Sequence, residues 1–154
     1  MKSPSAFTPS PSGFTLIEVL VVLGIFGIFL ASSLVANLDF YKGYVFRSER
    51  NLIVSVLAKA RAQSLNNINQ AKHGVRLDAG KYTIFEGKTW DNRAASLDEV
   101  IEGNRSLVLT ALPGLPLDIV FSQLAATTTN AAISISSGGR SVNITINEAG
   151  QINW

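Results

Sequence analysis

The hydrophobic pattern changes period twice along the chain. Residues 14–38 are apolar on every helical face, and Glu18 is the one charge among them. Residues 19–38 carry no charge at all. About 20 such residues at ~1.5 Å rise cover a ~30 Å hydrocarbon core, so the run is expected to cross a membrane as a helix. From 39 to 66 the pattern becomes amphipathic. Val45, Leu52, Ile53, Val56, Leu57 and Ala60 recur at spacings of three and four and form one stripe, while Arg47, Glu49, Arg50, Lys59 and Arg61 fall mostly off it. No proline interrupts 38–66, and Gly43 is its only glycine. Residues 14–66 thus predict one helix, roughly 80 Å long at the standard rise.

Beyond 66 the period drops to two. Residues 73–86 read as a hairpin. Val75 and Leu77 alternate with Arg76, Asp78-Ala79-Gly80 supplies a turn, and Tyr82, Ile84 and Glu86 continue the second strand. Residues 87–104 form a charged, irregular link that holds Trp90. Residues 106–112 and 117–121 are strand candidates separated by Pro113-Gly114, and 125–131 is a Thr-rich loop. Residues 132–146 alternate strictly about Ser137-Gly138-Gly139-Arg140, a second hairpin, and Gly150 allows a turn before Ile152 and Trp154. Ile133, Ile135, Val142, Ile144 and Ile146 are expected to face inward. The single apolar face of these strands matches the stripe on the helix. Packing the two together gives an α+β fold, with a long N-terminal helix, transmembrane then amphipathic, on a C-terminal antiparallel β-rich domain.

A lone carboxylate within a membrane span costs roughly 2.5–3.5 kcal/mol near the centre and less near the interface, so Glu18 marks a functional position by default. Its plainer reading is an acid that snorkels to the headgroups. Gly13, Phe14, then Thr15-Leu16-Ile17-Glu18 and the apolar run together resemble the N-terminus of the type IV pilin and pseudopilin superfamily. The resemblance implies that a prepilin peptidase cuts after Gly13 and methylates the new amine of Phe14. It also implies that Glu18 neutralises the Phe14 amine of a neighbouring subunit as a filament assembles. Each charge is costly alone in apolar surroundings, and a pair that must meet selects the offset between neighbours. The implied layout is a leader over 1–13, the transmembrane half of the helix over 14–38, its amphipathic half over 39–66 and a β-rich domain over 67–154. The implied place is a single pass through the inner (cytoplasmic) membrane, with the globular domain on the periplasmic or extracytoplasmic side. Its partners would be the peptidase, other pilins or pseudopilins and that membrane.

Three features depart from the family pattern. The leader, MKSPSAFTPSPSG, is long and has one lysine, whereas Lys42, Arg47 and Arg50 follow the helix. Charge counting therefore opposes the implied orientation, which rests on the resemblance. The apolar half lacks proline, so any kink would use Gly24, Gly27 or Ser32-Ser33. There is no cysteine, which excludes disulfides and thiolate metal sites and leans towards a pseudopilin. Ala60-Arg61, Gly74-Val75, Phe121 and the closing hairpin through Glu148-Ala149-Gly150-Gln151-Ile152 look most like minor pseudopilins of the GspH/FimT type.

Enzyme signatures are absent, and no cofactor or metal is expected. His73 has no ligand or nucleophile at catalytic spacing and reads as a surface or capping residue. Ser136-Ser137-Gly138-Gly139 lacks the Lys-Ser/Thr ending of a phosphate loop. Asp91, Asp98, Glu99 and Glu102 match no EF-hand spacing and read as a solvated loop. A second reading is a DNA-binding minor pilin, with Arg76, Lys81, Lys88, Arg93, Arg105 and Arg140 available. The net charge is only +2 and acids are interspersed, so a nucleic-acid partner is not favoured. The apolar run is also compatible with a single-pass signal-anchored envelope protein, or with a secretory signal cut near Ala31-Ser32-Ser33.

Overall fold

The computed structural model describes residues 13–154, with side chains for 13–32 and 40–154. The chain divides after Lys42 into two compact units. The long predicted helix is present as α1 (Leu16–Leu65, 50 residues). In the first unit the helix begins with Thr15 as its cap. The Glu18 N–H donates to the Thr15 carbonyl at 3.1 Å and faces Thr15 Oγ1 at 3.3 Å. The Thr15 side chain thus meets one orphan donor of the helix start, within the Thr-x-x-Glu spacing of a capping box, and the acid in the first turn complements the helix dipole.

The second unit starts at Gly43 and holds the remainder of α1 with eight strands. The helix stops where Asn67 turns left-handed (φ 53°), a conformation asparagine tolerates, and a 3₁₀ turn at Ile68–Gln70 follows. The strands are β1 (His73–Asp78), β2 (Lys81–Glu86), β3 (Glu99–Glu102), β4 (Val108–Leu112), β5 (Leu117–Phe121), β6 (Ala131–Ser137), β7 (Arg140–Ile146) and β8 (Ile152–Asn153). They form two antiparallel sheets, in the orders β3-β2-β1-β5 and β4-β6-β7-β8. Both predicted hairpins are present in register, Val75 opposite Ile84 and Ile133 opposite Ile144. Gly138 and Gly139 both have positive φ (55° and 80°), as a two-residue turn matched to strand twist requires.

The helix stripe covers both sheets. Phe46, Ile53, Val56, Leu57 and Ala60 share one core with Val75, Leu77, Tyr82, Ile84, Ile119 and Phe121 of the first sheet and Ile133, Ile135, Ile144 and Ile146 of the second. Each Val, Leu, Ile or Phe among them contributes roughly 1.5–3 kcal/mol on full burial. Val45, Leu52 and Val142 are only partly buried, and Phe46 and Glu49 occupy the inner face of α1 instead. The irregular link expected over 87–104 contains strand β3 and a 3₁₀ turn at Ala95–Leu97. The rest of it is folded over the first sheet. Trp90 lies edge-on to Phe85 at 5.5 Å, between the guanidinium carbons of Arg76 (4.0 Å) and Arg93 (3.6 Å).

Candidate processing and assembly site

Gly13 and Phe14 precede the helix and carry no regular structure. Phe14 is 84 % exposed. A Cβ built on Gly13 would meet nothing within 4 Å, and its φ lies outside the left-handed region. Nothing among the described residues requires glycine there. The same open space surrounds Gly24 and Gly27. Glu18 lies one turn beyond Phe14, and the two share a hollow of about 270 Å³ with Val19, Val22 and Leu23. That hollow is apolar apart from the acid. Glu18 has no ion pair among the described residues. From Phe14 to Leu30 the large apolar side chains are exposed, on all faces of the helix.

The comparison with protein families adds one match. The prokaryotic N-terminal methylation motif fits residues 10–34. The N-terminus is therefore similar to that of type IV pilin-like proteins. The match spans Gly13, Phe14 and Glu18, and the helix followed by antiparallel sheets is a pilin-like α+β fold. Such a motif is a prepilin peptidase signal, fits a structural rather than an enzymatic protein, and points to a pilus or envelope location. No curated protein and no solved structure matches the chain.

Among the described residues of this pilin-like chain, no helix is long and apolar enough to cross a membrane. The transmembrane segment expected over 14–38 is therefore not shown. Its described side chains stop at Ser32, short of the ~20 residues a crossing takes, and those of 33–38 lie outside the description. The leader residues 1–12 lie outside it as well.

Several of the other residues singled out in the sequence have structural partners. Arg76 binds Asp118 through two hydrogen bonds of 2.6 Å, Arg93 binds Asp98 at 2.8 Å, and Arg105 lies 3.6 Å from Glu102. Arg76 and Arg93 also clamp Trp90, so half of the basic residues considered for DNA are committed within the domain. Asp98 and Glu102 are engaged as above, and Glu99 pairs with Lys59 at 2.6 Å. His73 corrects the sequence reading. It is buried at 4 % exposure, with Nε2 3.6 Å from Glu86 Oε2, rather than lying at the surface. Burial follows from its place in β1, between β2 and β5.

Two features were not read from the sequence. The cap formed by Thr15 was signalled by Thr15-x-x-Glu18, the capping-box spacing. The buried hydrogen bond from the Tyr82 hydroxyl to the Glu49 carboxylate had no local signal, since 33 positions separate the two.

Proposed function

We propose that the chain is a structural subunit of a pilus or a type II secretion pseudopilus, cleaved after Gly13 and N-methylated on Phe14. Residues 1–13 are its leader, 14–38 its anchor in the inner membrane, 39–66 the amphipathic half of the helix and 67–154 its extracytoplasmic domain. Glu18 pairs with the Phe14 amine of a neighbouring subunit. The observation that carries the reading is the lone carboxylate, one turn from the cleavage bond, on a helix end exposed and apolar on all sides. A helix of that kind needs an apolar environment, which a bilayer and then a bundle of identical helices supply. Within it, opposite charges about 4 Å apart attract by about 4 kcal/mol at an effective dielectric of about 20, against about 1 in water, and desolvation removes part of the gain. The pair thus serves registry more than adhesion. The open surroundings of Gly24 and Gly27 suit close helix approach. Within the superfamily, the closing Gly-Gly hairpin favours a minor pseudopilin of the GspH/FimT type.

The test is Glu18→Gln in a host that carries the assembly machine. Insertion and cleavage are expected to persist, while incorporation into sheared filaments falls at least tenfold. Wild-type incorporation would contradict the role given to Glu18.

A further inference from the structure

The entry end of the β domain carries cations that have no ion pair among the described residues. Gly43 and Arg47 stand one turn apart on one face of α1, and Tyr44 lies beside them. The guanidinium of Arg140, from the start of β7, lies over Gly43: a Cβ there would be 2.7 Å from its Nη1. Arg47, Tyr44 and Arg140 are all exposed. Arg50, one turn further, reaches only the neutral Asn51 Oδ1, at 2.9 Å. Among the described residues, the ion pairs of the domain go to Lys59, His73, Arg76, Arg93 and Arg105, never to Arg47 or Arg140. Asp39, one turn before Gly43 in the sequence, lies outside the described side chains, and the next acid along the helix, Glu49, is turned inward to Tyr82. Arg47 is one turn along the helix from Gly43, the position that the Arg140 guanidinium covers, and like charges sharing such a surface repel unless an anion lies near them.

We propose that Tyr44, Arg47 and Arg140 form a collar that binds the phosphate of an anionic phospholipid headgroup. The proposal rests on the membrane anchoring of the proposed function. Lipid phosphate is favoured over soluble phosphate by what surrounds the cations in sequence. The apolar run ends a few residues before Gly43, and Phe40, Tyr41, Lys42 and Tyr44 are the aromatic and basic types that populate a membrane interface. Basic residues at such a surface each raise affinity for anionic lipid about fivefold. Headgroups held here would fix the height of the domain above the bilayer before the subunit leaves it for a filament.

The full chain tests this in nanodiscs of equal phosphatidylcholine and phosphatidylglycerol, released in mild detergent and weighed by native mass spectrometry. Wild type is expected to retain phosphatidylglycerol over phosphatidylcholine about fivefold or more. Arg47→Gln with Arg140→Gln is expected to bring the ratio near parity, while Lys88→Gln leaves it unchanged. Equal retention of the two lipids by wild type overturns the collar and leaves the anchoring intact, as does an unchanged ratio in the double variant. Failure of both proteins to enter the nanodisc overturns the anchoring and the collar together. Displacement of the retained lipid by an equal concentration of inorganic phosphate reassigns the site to free phosphate and overturns the lipid proposal.

Discussion

The Tyr82 hydroxyl donates to the Glu49 carboxylate inside the β domain and ties β2 to α1. Glu49 is 6 % exposed and Tyr82 1 %, so the acid is held in the core by a neutral donor rather than by a cation. Gly103 makes room for the pair, since a Cβ there would lie 2.5 Å from Glu49 Oε1. Burial pushes the Tyr82 phenol well above its usual value, and the hydrogen bond to Glu49 and the negative charge of Glu49 raise it further.

This arrangement predicts an alkaline loss of stability. The unfolded chain ionises Tyr82 near pH 10, whereas the folded chain keeps it protonated and so binds more protons. The contribution is complete below about pH 10 and is lost as pH rises above it. Tyr82→Phe should flatten that alkaline limb in urea unfolding of the detergent-solubilised chain. The same variant should cost about 1–3 kcal/mol at pH 7, because the buried carboxylate loses its donor. An unchanged alkaline limb would show that the phenol is not the group responsible.

Ser64 fastens the end of α1 to the first sheet. Its fully buried Oγ accepts the His73 N–H at 2.9 Å and lies 3.2 Å from the Phe121 carbonyl, its acceptor. Ser64→Ala should lower stability by about 1–3 kcal/mol by leaving that N–H unpaired. The denaturation midpoint reads this directly, and a shift within error would mean that water replaces the hydroxyl.

Trp90 is the pin of the segment over the first sheet. Two cation–π contacts at about 0.5–1 kcal/mol each and one aromatic pair at about 0.5–1.5 give roughly 2 kcal/mol for Trp90→Ala. Limited proteolysis should then cut within 87–98 at a protease dose that spares wild type. Equal resistance would show that the strand pairing of β3 alone holds the segment.

Among the described residues Gly13 has no structural duty, and the role proposed for it is recognition by a prepilin peptidase. Gly13→Val should leave the denaturation midpoint unchanged and abolish processing in a host with the peptidase. A processed Gly13→Val chain on a gel would remove the glycine requirement.

How much of this was legible in the sequence follows from how local each signal is. The extent of α1 was readable because its apolar runs and the absence of proline act within a few turns. Both hairpins were readable because Asp78-Ala79-Gly80 and Gly138-Gly139 fix their turns. Strand β3 was not, since Glu99 and Glu102 bracket a short edge strand whose one partner is β2. The split into two sheets was hidden as well. It depends on β5 pairing with β1, Leu117 opposite Leu77, across forty positions of chain. His73 was misplaced for the same reason, as its burial depends on β5, which lies far away in sequence. At the N-terminus Gly13, Phe14 and Glu18 stood out because spacing alone carries that signal. The partner charge proposed for Glu18 did not, because on this proposal it is created only by cleavage.

The most direct measurement is the intact mass of the chain purified from a membrane fraction of a host with an active prepilin peptidase. The account predicts a polypeptide that begins at Phe14 and is one methyl group heavier than the sequence from there to Trp154. A chain that still begins at Met1, or one cut downstream near Ser32, would contradict it.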